Sequence, residues 1–147
     1  MPDLWSDLLT CLDPHPVPSG DTGQERSDEN LTEFEGRNQQ LEYHRVFGGQ
    51  LLGQFIRIAS ATCPDKAVKS QHVVFTREGR ADEPIRYQAT RHHEGRSFAT
   101  VTITARQSRG VVATSAICMH AQEDGPERQT VDEVPAVLGP TIKSRST

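Results

Sequence analysis

No apolar run in this 147-residue sequence approaches the roughly 20 residues that a membrane-spanning helix requires, so no membrane association is expected. There is no basic excess either. The formal net charge is −4, which leaves nothing to neutralise a phosphate backbone and argues against a nucleic-acid partner. The first residues, Met1-Pro2-Asp3-Leu4-Trp5, lack the basic and apolar stretches of a signal peptide, and the cytoplasm is the expected compartment. Cysteine is scarce: Cys11, Cys63 and Cys118 are far apart, odd in number and in no spacing that suits zinc or a disulfide framework. Cys118 sits in an apolar run and is expected to be a small buried side chain. No metal and no cofactor is expected. Hydrophobic residues make up 34% of the chain, and the shortage is local to residues 13–30 and 122–147.

The rest has the length of one domain, enough to bury a core without a covalent staple. Residues 3–12 place Leu4, Trp5, Leu8, Leu9 and Leu12 on one stripe of a short amphipathic helix suited to cover one end of a sheet. Residues 13–30 carry three prolines and read as a loop. Leu31 and Phe34 suggest a short strand broken by Gly36. Gly48-Gly49 then opens an apolar helix carrying Leu51, Leu52, Phe55, Ile56 and Ile58, which Cys63-Pro64 closes. Arg57 is its only charge, so it is expected to be buried on most sides.

Four strand-like stretches follow, at 70–77, 85–93, 97–107 and 111–122, with turn chemistry between them. In the third, Phe98, Thr100, Thr102 and Thr104 alternate with Ala99, Val101, Ile103 and Ala105. The expected fold is α+β, a long helix wrapped by an antiparallel sheet. The expected organisation is a leading helix and loop at 1–30, one domain at 31–125 and a polar, proline-bearing tail at 126–147.

The segment RVFGGQLLGQF at 45–55 resembles the start of the central helix in the acyl-CoA thioesterase II family. NLTEFEGRN at 30–38, SQHVVFTREG at 70–79, HHEGRSFATVTITARQSRG at 92–110 and VVATSAICMHAQEDG at 111–125 resemble further pieces of that family, in its order. The resemblance covers about residues 30–125 and implies a hotdog fold. Family members of full length carry two hotdogs joined by a linker, and 126–140 resembles the beginning of that linker. In the family the second hotdog, which is not in this sequence, supplies an acid, a serine or threonine and a glutamine that together position water.

The resemblance assigns expectations to particular residues. A thioester carbonyl gains negative charge when water attacks it, and backbone N–H groups at a helix start suit that charge, so Gly49 is expected to form an oxyanion hole with Gly48 beside it. Other hotdog hydrolases often place an acid two turns into this helix, where this chain has Ile56. Gln54 lies near the position of the family's acid and can orient water but cannot act as a base; Gln50 is the other nearby polar group. His72 lies near the position of the family's serine or threonine, uncertain by one residue, and histidine as a residue type exchanges protons near neutral pH. His44, Glu33, Glu35 and Glu42 are further candidates. Arg77 and Arg96 are the expected contacts to the phosphates of coenzyme A or of a carrier protein's phosphopantetheine.

Three functions fit. The first is hydrolysis of an acyl-CoA or acyl-carrier-protein thioester by a hotdog homodimer. The second is a thioester-binding subunit of a heteromer in which a separate chain supplies the second hotdog. The third is a non-hydrolytic thioester protein, either a lyase or hydratase or a binding module.

Overall fold

The structure, a computed structural model, describes residues 3–18, 29–42, 44–121 and 136. The expected tail at 126–147 lies outside the described residues except for 136, and so does most of the loop before residue 29. The elements run α1 (Leu4–Cys11), β1 (His15–Val17), β2 (Leu31–Gly36), α2 (Gly48–Thr62), β3 (Lys66–Phe75), β4 (Ile85–Glu94), β5 (Phe98–Gln107) and β6 (Gly110–Ala121). The six strands form one antiparallel sheet in the order β1-β2-β4-β5-β6-β3.

The helix α2 ends where its sequence stops supporting it. Cys63 precedes a proline, which disfavours helical backbone, and it adopts φ −131° and ψ 76°. Along α2, Leu51, Phe55, Ile58 and Ala59 are buried against the sheet. The alternation in β5 is as expected: Ala99, Val101, Ile103 and Ala105 are buried beneath α2, while Phe98, Thr100 and Thr102 face away. Phe55 meets Tyr87 edge to face, with ring centroids 5.5 Å apart. Fully burying a side chain the size of Phe55 or Ile58 contributes about 1.5–3 kcal/mol. Irregularities between Val68 and Ser70, Arg91 and His93, and Ala105 and Arg106 interrupt the ladders, and bulges of this kind increase local twist and bend the sheet around the helix.

Three expectations need correction and one needs a qualification. Residues 15–17 are not loop but β1, which pairs with β2 at the far edge of the sheet, so the leading segment joins the domain rather than preceding it. The leucine stripe of α1 does not face the core: Leu4, Trp5 and Leu9 are exposed, and Cys11 is the buried residue of that helix. The helix α2 is buried on most sides, as expected, but one side stays open, where Leu52 and Ile56 are 37% and 39% exposed. Cys118 is only partly buried and pairs across strands with Ser70 and Thr100 on the side of the sheet away from α2, whereas Cys11 and Cys63 are the buried thiols.

Candidate active site at the start of the central helix

The first turn of α2 is left uncapped. Phe47 occupies the cap position with extended backbone and no side-chain hydrogen bond, and Gln50 N–H bonds back to the Phe47 carbonyl oxygen at 3.0 Å. The first N–H groups of a helix have no partner inside it and carry a partial positive charge, so Gly48 and Gly49 present donors suited to an anion. Gly48 lies on the wall of a cavity of about 340 Å³ together with Leu51, Phe75, Thr76, Arg77 and Glu78, and Gly49 is the next residue along the helix. Among the described residues Glu78 is the carboxylate of that wall. Arg45 holds one of its oxygens at 2.8 Å. The position of Glu78 comes from a non-local pairing: Val46 N–H bonds to the Gly79 carbonyl oxygen, and Arg45 bridges Arg80, so the turn after β3 is fastened to the segment that enters α2.

Gln54 is elsewhere. It is fully buried, and its amide is spent inside the fold. Its Nε2 donates to the carbonyl oxygens of Cys11 and Arg37, both at 2.8 Å, and its Oε1 accepts from the Tyr87 hydroxyl and from Gln50 Nε2. A Cβ at Gly36 would lie 2.8 Å from Gln54 Nε2, so glycine at 36 is what lets the amide reach this position. Gln50 continues the network. Its Nε2 donates to Asn38 Oδ1 at 2.8 Å and its Oε1 accepts from Gln39 N–H at 2.9 Å; Asn38 in turn donates to the carbonyl oxygens of Arg80, Ala81 and Glu83. Burial pushes the Cys11 thiol up to about 11 and raises the Tyr87 hydroxyl as well, which keeps both neutral in this dry pocket. The geometry therefore takes Gln54 and Gln50 out of contact with water or substrate and makes them the polar fastening between α1, α2 and the 37–40 loop. Gln54→Ala is expected to lower stability by about 2–4 kcal/mol, because four partners lose a buried bond at once. Denaturant unfolding at neutral pH measures this, and a loss below about 1 kcal/mol contradicts it.

His72 lies on the wrong side of the sheet for the α2 glycines. It pairs with Ala116, and Ala116 with Thr102, and all three are exposed on the face away from the helix. The neighbouring Gln71 faces α2 instead, donating to the Leu52 carbonyl oxygen at 3.2 Å. One residue of register thus reverses the reading. Glu33 and Glu35 share the outer face, where Arg86 pairs with Glu35 at 2.9 Å; Glu42 and His44 are exposed in the loop leading to α2. Arg77 lies on the cavity wall and donates to the Arg109 carbonyl oxygen. Arg96 occupies the β4–β5 turn at the opposite end of the sheet, about 30 Å of strand away. The two arginines cannot serve one ligand within a single chain.

The sequence reading missed Phe75, Thr76 and Glu78 as site residues. The pair Glu78-Gly79 registered only as a strand break, and nothing local signals that the turn folds back onto residues 44–46.

A curled antiparallel sheet around one long helix that starts on paired glycines defines a hotdog-fold protein. Solved structures similar to it share that fold. The tesB protein of Mycobacterium avium subsp. paratuberculosis aligns with a TM-score of 0.71 at 22% identity, over 91% of this chain and 49% of that one. A hypothetical thioesterase of Streptococcus pneumoniae, solved with coenzyme A, aligns with a TM-score of 0.63 at 13% identity, over 82% of this chain and 94% of that one. In sequence, residues 39–121 match the acyl-CoA thioesterase N-terminal domain, and the chain belongs to that family. Acyl-CoA thioesterase 2 of Haemophilus influenzae is 31% identical over 97 residues, 65% of this chain and 34% of that protein. The chain spans about a third or less of the length of the curated relatives it matches.

Proposed function

We propose that the chain is an acyl-CoA thioesterase hotdog whose active site is completed by a second hotdog. The observation that carries this is the cavity at the start of α2, whose wall holds both Gly48, the first residue of that helix, and Glu78. In the proposed reaction Glu78 takes a proton from water, the water oxygen attacks the thioester carbonyl carbon, and the N–H groups of Gly48 and Gly49 hold the negative charge on the carbonyl oxygen. The C–S bond then breaks and the protonated Glu78 gives its proton to the leaving thiolate, which yields a carboxylic acid and a free thiol and restores the Glu78 carboxylate. Thr76, on the same wall, is placed to hold the attacking water.

What this chain leaves open supports a second hotdog. Of the two edge strands, β1 has three residues and β3 has ten. At the end of β3, Phe75 is 53% exposed, and Leu52 and Ile56 carry apolar surface on α2. A long unpaired edge with apolar flanks calls for another sheet. The first reading is a second copy of this chain, as the near-full coverage of the pneumococcal protein supports. The heteromeric reading draws on the 49% coverage of the tesB chain: a different hotdog takes that place and brings its own water-handling residues.

The test is free-thiol release from a panel of acyl-CoAs by the chain alone. Release above the buffer rate is expected, falling about a hundredfold in Glu78→Gln and staying within about twofold in His72→Ala. Loss of release in His72→Ala with Glu78→Gln unchanged would reverse the two assignments. Hydration of crotonyl-CoA without thiol release would instead identify a lyase.

A further inference from the structure

The connection 76–84 between β3 and β4 carries Glu78, and the start of α2 carries Gly48 and Gly49. Hydrolysis by the steps above depends on how firmly these two parts of the chain are held together. The Arg45–Glu78 ion pair does little, because both of its side chains are more than half exposed. The backbone bonds Val46–Gly79 and Ala81–His44 fasten the connection to the segment before α2, not to the helix. Asn38, which is buried, joins the two directly. Its Nδ2 donates to the carbonyl oxygens of Arg80, Ala81 and Glu83, the first two at 3.2 Å, all in the residues that follow Glu78. Its Oδ1 accepts from Nε2 of Gln50, the third residue of α2, at 2.8 Å. Gln50 is itself buried and fixed, since its Oε1 accepts from Gln39 N–H at 2.9 Å. Only a short amide can do this. A carboxylate at 38 would turn a second acceptor onto three carbonyl oxygens, and a hydroxyl has a single hydrogen to give. Gln107 also grips the connection, at Arg80 and Glu83, but among the described residues its side chain has no hydrogen bond to α2.

We infer that Asn38 is a positioning residue for hydrolysis, fixing Glu78 relative to the N–H groups that open α2. The inference rests on the thioesterase reading with Glu78 as the base. Asn38 is not on the cavity wall, so it acts through Glu78 rather than on water or substrate. The attacking water has to lie within hydrogen-bond reach of the carboxylate while its oxygen faces the carbonyl carbon, and a misplacement of about 1 Å costs up to about a hundredfold in rate. A role confined to stability would slow no chemical step in the molecules that remain folded.

A double-mutant cycle on thiol release, run well below the melting temperature of each variant, tests the inference. Asn38→Ala is expected to lower kcat about ten- to a hundredfold and to leave KM within about threefold. In the Glu78→Gln background the same substitution is expected to lower kcat by no more than about twofold, because the placement of an absent base no longer matters. Where Asn38→Ala does not fold, Asn38→Ser, which keeps one donor and one acceptor, replaces it. Equal losses in the two backgrounds mean a merely structural role; they overturn the inference and leave the thioesterase reading standing. Wild-type turnover in Glu78→Gln overturns the base assignment and the inference with it. Amide hydrogen exchange reads the coupling without turnover. The Ala81 N–H is expected to exchange at least about tenfold faster in Asn38→Ala and also in Gln50→Ala, where the change lies on the helix side. Unchanged exchange at Ala81 in Gln50→Ala overturns the connection through Asn38.

Discussion

Replacing Gly49 with valine is expected to cut thiol release about 10²–10³-fold with little change in stability. The backbone N–H stays, but the isopropyl group fills the approach to it. A Cβ at 49 would collide with Phe47 Cε1, so the Phe47 ring must move. That ring is 64% exposed and can swing into solvent, which keeps the cost to the fold small. Valine also suits a helix slightly better than glycine does. A parallel Gly49→Ala variant grades the effect, since its single methyl blocks less. Steady-state kinetics with a thiol reagent, beside a thermal melt, separates lost catalysis from lost folding. Wild-type turnover in Gly49→Val would remove the α2 start from the mechanism.

Charging the open face of α2 is expected to break self-association. The pair Leu52→Glu and Ile56→Glu puts two carboxylates where the proposed interface must be dry, one helical turn apart and next to the β3 edge. Burying the part of each native side chain still exposed contributes about 0.6–1.2 kcal/mol, and each new carboxylate adds the larger cost of burying an unpaired charge, so the dimer dissociation constant rises about a hundredfold or more. The fold tolerates the change, because both side chains already face solvent in the single chain. Mass in solution by light scattering reads the outcome, and thiol release is expected to fall with the mass. A dimer that persists in the double variant would place the interface on another surface, of which the exposed Leu4, Trp5 and Leu9 of α1 are the next candidate.

The fold was legible where local chemistry governs it. The glycine start and the Cys63-Pro64 stop bound α2, and the alternation in β5 states which side chains meet the helix. The short β1 was not legible, because His15-Pro16-Val17 has strand character only through its pairing with Glu33, Phe34 and Glu35. Periodicity also misjudged α1 and one side of α2 in a consistent way. It finds an apolar stripe but cannot say whether the surface opposite lies in the same chain, and Leu9, Leu52 and Ile56 have no such partner among the described residues.

At the candidate site, Gly48 and Arg77 share one cavity wall because the first opens α2 and the second follows the end of β3, and Gly49 adjoins Gly48 in the chain. Gln54 was misread for a different reason. A glutamine inside an apolar helix signals a buried polar network and a reactive site equally well, and only the positions of Cys11, Arg37 and Tyr87 decide between them. For His72, the irregularity between Val68 and Ser70 matters: a bulge in β3 shifts which residues face the helix, and no feature of the sequence announces it.

The central claim is that this hotdog hydrolyses acyl-CoA only when a second one closes the cavity at the start of α2. Its most direct test is thiol release per chain across a dilution series, with the mass in solution recorded at each concentration. The account predicts that activity per chain falls in step with dissociation and returns on reconcentration. Constant activity in the monomer would contradict it, and an inactive dimer would assign hydrolysis to a different partner hotdog.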